Sequence, residues 1–425
     1  MAAARAFPPQ PLNFEDEAGI IRDLPSSPPG HIHKLMIDVD DLSAKDFLRL
    51  NTLYCHRTPI DEWILGVNNP QSGVGFALTR LFSLMRLFRP TSLMIQQSAR
   101  ILESAAFRSF LRTSPQLGLL VLDCGQEYQL SELFLTPIQE LRINILQDQH
   151  IESVSNLGEG ITKLHLWVSH GITPLALQGL VIPASVHTLS LSTQQVSFEQ
   201  FRMLSLAIKR HESIQRLEIG WRGSNPKDLL GMQPSPSIHN LDLHVSKFVT
   251  PLGSHEFVAT MQPFLANWSH LRELRISPTP ISPSTRSRLS KADYLRLFDI
   301  VRRTPFSSLR MLALRVGNPL EKDYCESLVK VVQSIQTLRG FHLAQFPPVS
   351  FDLDNTYKAK FNFYCDLHSL PEDMMPRTIP LNLWPRVLEK TKAVPSIIFY
   401  LLQEKNDMLI PRQKKSCGKR KRAHG

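Results

Sequence analysis

Apolar residues in this chain recur in one short pattern: apolar, two variable, apolar, one variable, apolar. In SIQRLEIGW, which begins at Ser213, the pattern is Ile214, Leu217 and Ile219. In SIHNLDLHV, which begins at Ser237, it is Ile238, Leu241 and Leu243. The last two apolar residues of each copy alternate with a polar one, as a strand with one buried face requires. The first apolar residue marks the chain entering that strand.

The triplet recurs along most of the sequence. Before the two quoted copies stand Ile32/Leu35/Ile37, Ile60/Trp63/Leu65, Leu117/Leu120/Leu122, Ile138/Leu141/Ile143, Ile161/Leu164/Leu166 and Val186/Leu189/Leu191. After them come Leu271/Leu274/Ile276, Leu309/Leu312/Leu314 and Leu338/Phe341/Leu343. A weaker copy, Leu93/Ile95, has Pro90 in first place. Measured at the middle residue, from Leu35 to Phe341, the steps average about 28 residues, within reach of the 20–29 of short strand–helix repeats. The intervals carry helical spacing. Leu78, Leu81, Met85 and Phe88 step by 3, 4 and 3, which lines one face of a helix. Phe198, Phe201, Leu204 and Ile208 do the same, as do Tyr324, Leu328, Val331 and Ile335. GSHEFVATMQPFL and KADYLRLFDIVRR also read as helices. Each unit is then strand, turn, helix, return, and it buries its apolar side only by stacking on its neighbours.

At this count of copies the chain resembles the leucine-rich repeat superfamily, and most closely the helix-bearing ribonuclease-inhibitor type. The resemblance covers about residues 32–343 and implies an α/β solenoid of about 12 irregular repeats. Parallel strands would line the inside, helices the outside, and a binding surface the concave face. The family pattern continues to an Asn or Cys at the turn. Asn68 fits that place, but the equivalent positions elsewhere are Ser169, Gln194, Arg222, Ser246, Thr279 and Gly317. An irregular arc is therefore expected.

Four regions follow. Residues 1–30, rich in Pro and acids, read as a disordered lead or partial cap, and 31–345 as the solenoid. The proline- and serine-rich stretch SPTPISPSTRSRLSKADY reads as a projecting loop. Residues 346–410 read as a C-terminal cap, with a last strand around Phe361 and Phe363 and then two short helices split near Pro395. The end of that region also resembles uncharacterised algal leucine-rich repeat proteins, and IPLNLWPRVL has a trace of an F-box. Residues 411–425 read as a basic disordered tail.

Charge refines this division. The formal net charge is +10, but the last fifteen residues hold seven cations and no acid, which leaves the body nearly balanced. High overall basicity is thus no argument for a nucleic-acid-binding body. The tail run Lys419, Arg420, Lys421 and Arg422 fits a nuclear localisation signal read by an import receptor. Non-specific contact with nucleic-acid phosphates and a plain solvated tail are the other readings, with cytoplasmic residence as the alternative to a nuclear one. Five widely spaced cysteines without a CxxC read as reduced thiols rather than a disulfide framework. No secretory leader is expected from MAAARAFPPQPLNFEDEAG, and no apolar run reaches the ~18 residues of a membrane span.

Searching for chemistry yields little. The phosphate-loop, nucleophile-elbow, zinc-protease and dinucleotide fingerprints do not occur. No catalytic residue, cofactor or metal ligand is assigned. Cys55 and His56 in YCHRTP are adjacent and share no face, so they read as a helix end with a buried thiol. His31 and His33 in HIH share one side of a strand, but two imidazoles do not close a metal site without further ligands. The middle residues His165, Glu218, Asp242, Arg275 and His342 should line the concave face. Glu218 and Asp242 should be neighbours, able to act as acid and base, to attract a cationic partner, or simply to stay solvated. Trp167 and Trp221, placed just beyond the strands, are candidate partner anchors, with half-buried packing as the other reading. The chain is accordingly expected to be a non-catalytic scaffold or adaptor that binds a protein through His165, Trp167, Glu218, Trp221, Asp242 and Arg275. A ubiquitin-ligase substrate receptor docking through its C-terminal helices, and a tail-driven nucleic-acid-associated protein, are the alternatives.

Overall fold

The computed structural model describes residues 19–20, 30–66, 75–96, 101–123, 138–278, 289–316, 322–345 and 355–368, apart from residues 103, 146, 156, 158–159, 224 and 246–250. Thirteen strands form one sheet in strict chain order, and every neighbouring pair is parallel. They are β1 (Gly19–Ile20), β2 (Ile32–Asp38), β3 (Ile60–Gly66), β4 (Ser92–Gln96), β5 (Leu119–Asp123), β6 (Glu140–Ile145) and β7 (Lys163–Ser169). Then follow β8 (Thr188–Gln194), β9 (Arg216–Arg222), β10 (Asn240–Val245), β11 (Glu273–Ser277), β12 (Met311–Val316) and β13 (Gly340–Gln345).

Helices fill most of the crossovers, as parallel neighbours demand. They are α1 (Ala44–Cys55), α2 (Gly75–Phe88), α3 (Ala105–Arg112), α4 (Asp148–Ser155) and α5 (Pro174–Gln178). The rest are α6 (Phe198–Lys209), α7 (Pro251–Asn267), α8 (Lys291–Arg303), α9 (Lys322–Ser334) and α10 (Asn355–His368). A 3-10 segment, Pro226–Gly231, replaces the helix between β9 and β10. The architecture is a solenoid-like α/β repeat.

The register reproduces the sequence pattern position by position. Leu35, Trp63, Leu93, Leu120, Leu141, Leu164, Leu189, Leu217, Leu241, Leu274, Leu312 and Phe341 form one unbroken row of paired residues from β2 to β13. All but Phe341 are buried. The first apolar position is buried too from Ile138 onward, at Ile161, Val186, Ile214, Ile238, Leu271, Leu309 and Leu338. A third core row follows the triplet: Ile145, Val168, Thr193, Trp221 and Val245 pair across β6 to β10 and are all buried. Ser169, Gln194 and Arg222, expected beyond the strand at the turn, instead close β7, β8 and β9.

Main-chain hydrogen bonds hold this register at the strand entry. At Thr91, and again from Gln139 onward, the carbonyl two residues before the row leucine accepts two N–H groups from the next repeat. Gln139 O accepts from Thr162 and Lys163, Thr162 O from His187 and Thr188, and His187 O from Gln215 and Arg216. The series continues through the carbonyls of Gln215, His239, Arg272 and Arg310, with distances of 2.7 to 3.2 Å throughout. Two geminal acceptor directions on one carbonyl are satisfied in this way.

Helix starts are set by side chains. Ser43 with Asp46, Ser197 with Gln200, and Ser290 with Asp293 form reciprocal capping boxes. The proposed helical faces are buried at Leu78, Leu81 and Met85, at Phe201, Leu204 and Ile208, and at Tyr324, Leu328, Val331 and Ile335. Phe198 departs from this, because it is the first helical residue of α6 and stands 45% exposed. The last strand expected around Phe361 and Phe363 is instead part of α10. Among its described side chains Phe361, Tyr364, Cys365 and His368 are buried, spaced 3, 1 and 3, which is helical spacing and not the alternation of a strand. Phe361 packs on Phe341 of β13 with ring centroids 4.7 Å apart. Cys55 is exposed at the end of α1 rather than buried, while Cys325 and Cys365 are buried. Residues 279–288 of the expected projecting loop, the helices expected after residue 380 and the basic tail lie outside the described residues, and the end of that loop stretch, from Lys291, is already helix α8.

Because the leucine row is almost solvent-free, Leu241→Ala should lower the unfolding free energy by about 2–5 kcal/mol. Leu241→Asp should cost more, since its charge would be buried without a partner. Urea melts of both, set beside the exposed-site control Leu175→Ala, check the register. A parent-like midpoint for Leu241→Asp would contradict it.

Candidate functional site

Side chains between the core rows point to the sheet face opposite the helices. Strand alternation puts three rows there: the residue before each row leucine, the residue after it, and the one two further on. The middle row runs Met36, Ile64, Met94, Val121, Arg142, His165, Ser190, Glu218, Asp242, Arg275, Ala313 and His342 in continuous register. The face therefore changes character along its length. Over β2 to β5 its middle row is apolar, and Ile64, Met94 and Val121 form a small cluster with Met36 and Leu119, separate from the main core, while Lys34, Glu62 and Asp38 flank it. Over β6 to β11 it is mainly charged and hydroxylic.

Two ion clusters occupy the charged half. In the first, Glu140 Oε1 accepts from Arg142 Nε and Nη2 at 3.0 and 2.8 Å. His165 Nε2 stands 2.9 Å from the same oxygen, and Lys163 Nζ is 3.6 Å from Oε2. Burial acts to raise the Glu140 pKa, but hydrogen bonds from His165 and Arg142, with nearby positive charge, hold it well below the usual carboxylate range. Burial pushes the His165 imidazole below its ordinary value, with the hydrogen bond to Glu140 opposing. His165 is therefore neutral near pH 7, and the lasting counter-charges of Glu140 are Arg142 and Lys163.

In the second cluster Arg216 bridges two neighbouring strands. Its Nε donates to Glu218 Oε1 at 2.9 Å and its Nη2 to Asp242 Oδ2 at 3.0 Å. His244 Nε2 lies 2.9 Å from Asp242 Oδ1. Asp242 is only 2% exposed. Burial favours its neutral form, but the contact with His244 and the charges of His244, Arg216 and Arg275 outweigh it and lower the pKa. Glu218 and Asp242 are paired in register as expected. Arg216 lies between them and contacts both carboxylates, while His244 contacts Asp242 from the other side.

Arg275 and His342 stand beyond this cluster on the same face. The buried Arg275 Nε has no hydrogen-bond partner. Between the clusters Ser190 and Ser192 carry no charge. Trp167 belongs to β7, not to a loop, and is half-buried on this face between Asn144 and Ser192. The Arg222 guanidinium lies 5.4 Å from the centroid of its ring.

A scan against protein-family models returns no match for this chain, and a search of curated proteins returns none.

Of the predicted contact residues, His165, Trp167, Glu218, Asp242 and Arg275 do share one face. Trp221 does not. It sits within β9 at the parity of Leu217 and Ile219, is 1% exposed, and stacks on Phe257 at 6.3 Å. It is core, and the alternation LxIxW already carried that signal. The tail residues Lys419 to Arg422 lie outside the described residues. Sequence reasoning missed Glu140, Arg142, Lys163, Arg216 and His244, because only the middle positions of some triplets were weighed. Extending the period of two by one step in each direction reaches them. The apolar half was also legible, in the unbroken runs LMI, WIL and LVL, which have no polar middle residue.

Among the described residues no helix is long and apolar enough to cross a membrane. An open depression of about 660 Å³ beside α3 is lined by Ala105, Arg108, Ser109, Arg112 and Thr113, with no carboxylate or thiol among them.

Removing Arg216 leaves two shielded carboxylates short of a cation. Breaking a buried ion pair costs about 3–5 kcal/mol, and His244 and Arg275 remain near Asp242, so Arg216→Met should cost about 2–3 kcal/mol at pH 7. The lowered pKa of Asp242 adds stability above the unfolded carboxyl value and loses it as pH falls through the folded one. The gap between parent and variant should therefore narrow on going from pH 7 to pH 3. Denaturant curves at both pH values test this, and a gap that widens in acid would contradict the assigned pairing.

Proposed function

We propose that this chain is a leucine-rich repeat solenoid that serves as a non-catalytic adaptor, gripping a protein partner on its concave, helix-free face. The observation that carries the reading is the fixed array of side chains on one long sheet face, with an apolar middle row over β2 to β5 and two ion clusters over β6–β7 and β9–β10. A partner with an apolar segment followed by a polar, charged one fits both halves at once. Trp167, backed by Arg222, is the anchor, and Arg275 is the cation that meets a carboxylate of the partner. A rigid frame lowers the ordering cost of binding. The internal ion pairs hold their own groups in place and leave the interface charge nearly neutral, so selectivity comes from geometry more than from net attraction.

The basic run Lys419–Arg422 is proposed as the address that takes the adaptor to the nucleus, and the helices after residue 380 as the cap of the array's open end. Neither assignment is needed for the binding face.

Affinity capture from nuclease-treated cell extract tests the reading. The bait is full-length protein, a version ending at Pro411, Trp167→Ala, Arg275→Glu, and the outer-surface control Arg112→Glu. A protein retained by the parent, the truncated version and Arg112→Glu, but lost by at least about tenfold with Trp167→Ala or Arg275→Glu, supports the adaptor. Retention that depends on the tail or on nucleic acid overturns it.

A further inference from the structure

The two histidines of HIH acquire a third donor from the next repeat. Ile32 of β2 pairs with Ile60 of β3, which sets Asp61 beside both imidazoles at the strand-entry edge of the sheet. His31 Nε2 lies 2.9 Å from Asp61 Oδ1, and His33 Nδ1 lies 3.0 Å from Oδ2. The two rings meet edge to face with centroids 4.5 Å apart. One ligand atom from each of the three residues falls within 4.8 Å of the others.

We propose that His31, His33 and Asp61 form a binding site for a divalent transition metal, with Zn²⁺ as the cation it fits best. The donor set decides the class. Two imidazole nitrogens and one carboxylate suit Zn²⁺, Ni²⁺ or Cu²⁺, whereas Ca²⁺ and Mg²⁺ are held by oxygen alone. Zinc binds nitrogen and oxygen at about 2.0–2.1 Å, so tetrahedral donors stand roughly 3.3 Å apart. The present spacing reaches that by small side-chain rotations, and all three residues are exposed and able to make them. The backbone need not move, because strand pairing has already placed the three residues.

Three protein donors leave a fourth position open. Water fills such a position in isolation, and a side chain of a bound molecule replaces it when one is present. The site lies at the start of the repeat array, away from the charged half of the binding face. It is independent of the adaptor reading.

Calorimetric titration of the full-length protein with ZnCl₂ tests this. One site should depend on all three residues. Loss of an outer-shell partner of a metal ligand weakens binding by about 10–100-fold, so loss of a direct ligand should cost at least as much. His31→Ala, His33→Ala and Asp61→Asn should each do so, and His56→Ala should not. Excess Mg²⁺ should not compete. Thermal melts give a second readout: Zn²⁺ should raise the parent's melting temperature and leave that of the His31→Ala/His33→Ala variant unchanged. Zn²⁺ binding that persists in that double variant and is lost in Cys417→Ser/His424→Ala would overturn the proposal. So would a parent that takes up no Zn²⁺ at micromolar concentration.

Discussion

Everything in this structure depends on where one strand starts relative to the next. From β6 onward a single carbonyl per repeat, two residues before the row leucine, accepts two backbone N–H groups from the following unit. The bond is made by the main chain, so it asks for no particular side chain. It asks only that the chain turn in at the same point, which the buried apolar residue immediately before it secures. This explains how steps from 21 to 38 residues coexist with an unbroken register. Length variation is taken up in the crossovers, where loop closure costs grow slowly with length. Where turn asparagines were expected, the strands run on through Ser169, Gln194 and Arg222, and the residue before each of these adds a further buried row.

Fixed register has an electrostatic consequence. Parallel strands bring equivalent positions to about 4.8 Å from one another, so like charges in successive repeats would repel. Glu218 and Asp242 are such a pair, and Arg216 lies across both. Glu140 gathers three cationic or imidazole groups in the same way. These groups serve first to make a crowded polar face compatible with a rigid sheet. Recognition of a partner, as proposed, would fall to the residues that this internal pairing leaves available, above all Arg275 and the half-buried Trp167.

The division of the face into an apolar and a charged half follows from strand composition. Strands whose middle residue is apolar extend the hydrophobic run to both sides of the sheet, and those with a charged middle residue do not. The proposed metal site obeys the same logic at the strand entry, where two imidazoles in one repeat wait on a carboxylate in the next.

The sequence by itself determined the repeat, its marker row and the helices between strands, because periods of 2 and near 3.6 express which face of each element is buried. Even the fate of Trp221 was written in its parity with Leu217 and Ile219, and the spacing of Phe361, Tyr364 and Cys365 already marked a helix. Tertiary structure decided the rest. That Arg216 reaches Asp242, that Glu140 meets Lys163 and His165, and that Asp61 meets His31 and His33 are facts about pairs some 20–30 residues apart. Local periodicity carries no record of such pairs. They exist because backbone register, summed over every intervening loop, brings the two positions side by side.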